Sequence, residues 1–208
     1  MNNRIIMPVS VNSLISNIRD DAEARYALKH RVDSHAALHG IWQCDQYRKG
    51  ELISGGYLEP PNTFTTEGMA YLLNVMFFTT SKAGSLIWYV GIFKNNVTPA
   101  VGNTAAVCLG AAGTYGECQD ADYDSPLTDK PSYTTATTAI ASITNAVAGK
   151  ATFVMLAAIT VYGAFLSTVA AKTATTGYLM CGKKFTASRA VVDDDELLIT
   201  YQINLSTS

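Results

Sequence analysis

A chain of 208 residues with net charge −2 and 48% hydrophobic residues suits one ordinary domain plus an appendage, or two small domains, and it excludes a nucleic-acid partner held by bulk positive charge. Residues 1–63 hold 7 basic and 7 acidic side chains, whereas residues 64–208, more than twice as long, hold only 8 and 10. The front is therefore the solvated, helix-friendly part; the rest is apolar, rich in Ala, Thr, Val and Gly, and free of histidine.

Residues 1–11 read as an extended arm whose apolar run is too short for a secretion signal. Asn12 or Ser13 caps a predicted helix running to about Leu38. Its apolar positions, Leu14, Ile18, Ala22, Tyr26, Val32 and Ala36, form a thin stripe broken at Lys29. Such a helix needs a partner or the rest of the fold to stabilise it, which makes Leu14, Ile18, Tyr26 and Val32 candidate partner-binding residues.

Gly40 to Tyr57 reads as a hairpin, with strands Ile41–Tyr47 and Glu51–Tyr57 around Arg48-Lys49-Gly50. Pro60-Pro61-Asn62 then breaks the pattern. Three segments follow: an arm and helix over 1–39, a hairpin and Pro-rich connection over 40–62, and a β domain over 63–208.

The clearest helix begins at Thr65-Thr66-Glu67, with Thr66 as N-cap, and ends near Phe78. Met69, Leu72, Leu73, Met76 and Phe77 recur at the spacing of a buried face. Leu86 to Phe93 is a fully apolar run, as for a strand buried on both faces, and Asn95-Asn96 turns it. Residues 98–137 are loop-rich, punctuated by Pro99, Gly102, Gly110, Gly113, Gly116, Pro126 and Pro131. A loop this long is functional or holds strands of its own.

Predicted strands Ile140–Val147, Ala151–Ala157, Ile159–Ser167, Tyr178–Ala187 and Leu197–Leu205 close the chain. The uncharged run Ala151–Ala171 is long enough to span a membrane, but its Thr, Tyr, Gly and Ser and its break at Ala157-Ala158 read as two buried strands. The pattern predicts a mainly β fold: an antiparallel, jelly-roll-like β-sandwich with one packed helix and an N-terminal helical arm. In that core Met69, Leu72, Leu73, Met76 and Phe77 pack on Trp88, Val90, Ile92, Phe153, Phe165, Leu198 and Tyr201.

Candidate chemistry is sparse. Of His30, His35 and His39, the last two are four apart, yet no carboxylate or Cys accompanies them as metal ligands, and a solvated face is the simpler reading. Asp120, Asp122 and Asp124 alternate between Glu117 and Asp129 and are weak calcium candidates. Ser125 stands where that loop needs Gly, and Pro131 where it needs Glu, so a solvated acidic loop is favoured. Asp193-Asp194-Asp195-Glu196 reads as a solvated hairpin turn that discourages edge pairing. An enzyme acting through Asp122 or Glu196 is the least favoured class.

Trp42, Trp88, Tyr89, Tyr162 and Phe165 can stack on bases or sugars, but read first as core. Tyr115, Tyr123 and Tyr133, if exposed at the tips of the long loop, suit a glycan-binding module. Nucleotide and nucleophile-elbow motifs are absent, and Gly110 to Gly116 lacks the strand and helix that phosphate cradling needs. Cys44, Cys108, Cys118 and Cys181 show no CxxC spacing; free thiols are expected, with Cys108 and Cys118 the one pair to check for a bridge. No catalytic residue, cofactor or metal is assigned.

Six segments occur in order: IWQCDQYRKGELI, FTTEGMAYLLNVMFF, LIWYVGIFKNN, ITNAVAGKATFVM, TVYGAFL and KKFTASRAVVDDDELLITYQINLS. Together they resemble a family of small virion proteins of tailed bacteriophages. Trp42, Thr66-Glu67-Gly68, Trp88-Tyr89-Val90-Gly91, Tyr162-Gly163-Ala164-Phe165 and Arg189 to Tyr201 carry the likeness, over roughly residues 40–208. The resemblance implies a non-enzymatic structural protein of the virion, assembled in the host cytoplasm. Within that class, the Thr/Ala/Gly-rich β domain without catalytic groups and the N-terminal arm, which lies outside the likeness, favour capsid decoration as a cement protein held through that arm. Its partners are then the major capsid protein, or tail and portal proteins, and further copies of itself, with neither nucleic acid nor membrane. The alternative is a tail or tail-fibre component, an adaptor or host-receptor binder at the portal vertex.

Overall fold

The computed structural model describes residues 36–78 and 88–207. Ala37–Ser206 forms one compact unit, which carries the sheets.

Strand β1 (Ala36–Arg48) turns at Lys49-Gly50 into β2 (Glu51–Ser54). Both turn residues have positive φ, 52° and 80°, the hairpin geometry that matches the twist of the strands it joins. After Pro60-Pro61 come β3 (Thr63–Phe64), helix α1 (Thr66–Phe77) and β4 (Tyr89–Phe93). The long connection that follows is not structureless: it holds a short helix, α2 (Ala105–Cys108), and β5 (Tyr123–Ser125). Strands β6 (Ser142–Thr144), β7 (Ala151–Met155), β8 (Ile159–Ser167), β9 (Leu179–Val191) and β10 (Glu196–Thr207) complete it.

The fold is mainly β. One sheet runs β2-β1-β10-β7-β5, with β6 also on β10; the other runs β3-β9-β8-β4. Every strand pair with a defined register is antiparallel. Both sheets feed one buried cluster that includes Trp42, Val90, Phe153, Leu166, Leu197 and Tyr201. A second cluster gathers Phe93, Ala105, Cys108, Leu109, Tyr115, Phe165 and Leu179 around α2. The uncharged run at 151–171 falls on β7 and β8, one in each sheet. No helix among the described residues is long and apolar enough to cross a membrane.

Strand β6 is shorter than the predicted Ile140–Val147 because Asn145 leaves the ladder. Its side chain stands in for backbone beside β10: Nδ2 donates to Ile199 O at 3.1 Å, and Oδ1 accepts from Tyr201 N at 2.8 Å. A backbone bond from Tyr201 that would otherwise be orphaned between β6 and β7 is thus satisfied.

The face of α1 expected to be buried is the exposed one. Gly68 and Tyr71 are buried and Leu72 and Val75 half-buried, whereas Met69, Leu73, Met76 and Phe77 face outward. The cause lies in the first turn. The N-cap is Thr65, not Thr66; its Oγ1 accepts from Gly68 N at 3.0 Å and donates to Leu179 O. Glu67 Oε2 accepts from Leu179 N at 2.7 Å and from Ala105 N at 2.8 Å. These bonds seat the helix on β9 along residues 65, 68, 71 and 72. Gly68 permits the approach, since a Cβ there would lie 2.4 Å from Met180 Cα.

Two further expectations are corrected. Leu198 is only half-buried, because the inward side of β10 is Leu197, Ile199 and Tyr201. Residues Ala36–Leu38, expected to end the first helix, begin β1. The remainder of that helix, with Leu14, Ile18, Tyr26 and Val32, lies outside the described residues.

Candidate interaction surface

The loop between β4 and β6 is braced by buried charge. Lys130 Nζ donates to Glu117 Oε1 at 2.8 Å, and both side chains are fully buried. Glu117 Oε2 accepts from Gly110 N at 2.7 Å, and Lys130 Nζ also donates to Ala171 O at 2.8 Å. Burial pushes the Glu117 carboxyl up and the Lys130 amine down, the direction in which desolvation disfavours each charge. Lys94 Nζ pairs with Asp122 at 2.7 Å. Lys172 reaches Asp120 at 3.1 Å, donates to Tyr123 O and Leu127 O, and lies 3.7 Å from the centroid of the Tyr123 ring.

The acidic loop is therefore cross-braced, not a freely solvated run. Of the three calcium candidates, Asp120 and Asp122 each hold a lysine, and Asp124 is exposed on β5. Among the described residues no group of three or more His, Cys, Asp or Glu is placed to hold a metal. His39 is exposed on β1, and His30 and His35 lie outside the described residues.

The acidic turn before β10 is likewise structural at one position. Asp195 is buried; it accepts from Arg48 Nε and Nη2, both at 2.7 Å, from Gln46 Nε2 at 3.0 Å and from Val192 N at 3.0 Å. The Arg48 guanidinium holds its carboxyl below the usual carboxylate range. Asp193, Asp194 and Glu196 stay exposed. On β9, buried Arg189 donates through Nη2 to Cys44 O at 3.1 Å and stands 4.0 Å from Glu59, whose other oxygen accepts from Thr186 N and Oγ1. Sequence reasoning did not single out Lys94, Lys130, Lys172 or Arg48. A lysine after the apolar run Val169-Ala170-Ala171 was the available signal.

The loop tyrosines are inside. Tyr115 and Tyr123 are each 1% exposed and Tyr133 is 8% exposed, so the condition for a glycan-binding loop tip is not met at these residues. Trp42 and Phe165 are core, while Trp88, Tyr89 and Tyr162 are half-buried. All four cysteines are buried free thiols; Cys108 and Cys118 fall in different clusters and are not bonded. Burial pushes the Cys44 and Cys181 thiols up to about 12.

Two features open to solvent stand out among the described residues, a cleft and an apolar face. The cleft, about 590 Å³, is lined by Tyr89, Asp129, Ser132, Thr134 and Lys150 among others. The face belongs to α1. Met69, Leu73, Met76 and Phe77, with Phe78 at the C-cap, are exposed by 38, 56, 62, 77 and 70%. Positions three and four apart are surface neighbours on a helix, so these side chains form one stripe. No charge interrupts it, because Glu67, the one charged residue of α1, is bonded to β9 and α2.

No protein family, curated protein or solved structure matches this chain.

Proposed function

We propose that the chain is a non-enzymatic structural protein of a tailed-phage virion, which decorates and stabilises the capsid. Residues 1–35, ahead of β1, form its particle-contacting arm, and the two sheets pack as a jelly-roll-like sandwich around their shared core. The observation that carries the reading is where the ionisable groups go. Glu117, Asp122 and Asp195 are buried and held by lysine or arginine; Asp45 is held by Gly56 N and Lys150, and Glu59 by Thr186. Groups committed to the fold in this way rigidify a module and leave its surface free for assembly.

The segments that resemble virion proteins support the same view, because they lock the fold. Trp42 stacks on Tyr201, Glu67 and Gly68 seat α1 on β9, and Gly91 lies against the Phe165 ring, where a Cβ would come within 2.1 Å. Receptor binding through Tyr115, Tyr123 and Tyr133 is not retained, since those rings are buried.

The test is add-back to particles that lack the protein. The full chain should bind saturably, and a chain without residues 1–35 should stay folded and fail to bind. The deletion stops there because β1 begins at Ala36. Undiminished loading by the truncated chain would contradict the arm; no loading by either would contradict decoration.

A further inference from the structure

We propose that the outward face of α1 is the docking site for a second copy of this chain, helix against helix about a two-fold axis. The inference stands on the geometry of α1 and does not rest on the virion reading.

Charge is the first argument. The stripe from Met69 to Phe78 carries no ionisable side chain, and Glu67 is occupied by Ala105 N and Leu179 N. An isologous contact sets each residue of a patch against the same patch, so a charged patch would repel itself and an uncharged one does not. A basic or acidic peptide, a nucleic acid or an anionic lipid surface has nothing here to pair with.

Area is the second. Phe77 and Phe78 are 77% and 70% exposed. With about 150–250 Å² in each aromatic side chain, these two rings alone present on the order of 300 Å². With Met69, Leu73 and Met76 the stripe reaches roughly 500–600 Å², the upper end for the largest apolar patch of a monomer. That is most of the ~800 Å² each partner contributes to a standard interface, and the polar neighbours of the stripe make up the remainder.

Helix electrostatics is the third. The last turn of α1 has no basic residue of its own to offset its carbonyl end. Antiparallel packing about a two-fold axis brings that end beside the amino-terminal half of the partner helix, where the macrodipoles oppose favourably. Leu73, midway along the stripe, then lies next to its own copy. Met69 and Met76 supply adaptable thioether side chains around it.

Sedimentation equilibrium on the full chain tests this. The wild type should have a dimer mass at micromolar concentration. Leu73→Glu and Met76→Glu should each weaken self-association by about tenfold or more. Both side chains are exposed, so the near-ultraviolet circular dichroism should not change, and the unfolding midpoint should match that of the wild type measured at concentrations where the wild type is monomeric. Leu73→Cys gives a second readout. The native cysteines are buried, so mild oxidation should link Leu73→Cys chains into a covalent dimer and leave Leu127→Cys, exposed elsewhere, unlinked.

A wild type that stays monomeric at high micromolar concentration overturns the proposal, as does a dimer undiminished in both Glu variants. A trimer or larger ring whose Leu73→Cys chains do not cross-link overturns the two-fold pairing. If the wild type is monomeric and the Glu variants fail to load onto particles, the particle covers this face and self-pairing is wrong.

Discussion

The ring of Tyr201 stacks on the indole of Trp42, with centroids 4.0 Å apart and planes inclined by 20°. The contact joins β10 to β1 at the centre of the shared core, and both side chains are fully buried. The Tyr201 hydroxyl accepts from Asn62 Nδ2 at 3.0 Å and from Cys181 Sγ at 3.1 Å, so one residue ties the first sheet to the 60s loop and to β9. Gly40 leaves room for that hydroxyl, since a Cβ there would lie 2.1 Å from it. Tyr201→Ala should cost about 3–5 kcal/mol in urea unfolding, as cavity-forming aromatic truncations do. Tyr201→Phe keeps the stack and orphans two donors, and should cost about 1–2 kcal/mol.

The Arg48–Asp195 pair should make stability sensitive to acid. Arg48 lowers the folded-state pKa of Asp195, so the contribution is present above the unfolded value of about 3.9 and is lost as pH falls through the lower folded value. Chemical denaturation of wild type and Asp195→Asn across pH should show a gap of about 1.5–3 kcal/mol at neutral pH. The gap should close as pH falls through the lowered folded-state pKa of Asp195. Arg48 is 42% exposed, so added salt should narrow the gap.

Glu117 and Lys130 form a buried pair whose single disruption strands a charge. Lys130→Met should destabilise by about 3–5 kcal/mol. The double change Glu117→Gln with Lys130→Met should recover much of that loss. The amide still accepts from Gly110 N, and no uncompensated charge is left inside. Equilibrium unfolding of both variants checks this; a double variant as unstable as the single one would contradict it.

Gly68→Ala sets helix propensity against packing. Alanine favours a helix by about 1 kcal/mol over glycine, but the new methyl would meet the backbone of Met180. Met180 lies within β9 and cannot swing aside as a side-chain tip can. Net destabilisation of about 1–3 kcal/mol is expected, read by thermal unfolding. A stabilised variant would mean that α1 is not seated on β9 as described.

Local signals made much of the β architecture legible. Lys49-Gly50 announced its turn because that geometry needs positive φ, and Ile159–Ser167 runs as a strand over the predicted bounds. The orientation of α1 was not legible. MAYLLNVMFF is apolar on both sides, so periodicity allows two faces, and the choice falls to Thr65, Glu67 and Gly68 meeting β9, more than 100 residues away. Asp195 looked like part of a solvated acidic run because Arg48, its partner, is 147 positions earlier. Asp122 and Glu117 looked free because their lysines, 28 and 13 positions away, are brought to them only by the folded loop. Ion pairs of this kind leave no periodic trace.

Copy number in purified virions, by quantitative mass spectrometry against the major capsid protein, tests the central claim most directly. Decoration of an icosahedral head predicts on the order of hundreds of copies per particle. Roughly six to eighteen copies, the numbers set by tail and portal symmetry, would contradict capsid decoration, and absence from the virion would contradict the structural role itself.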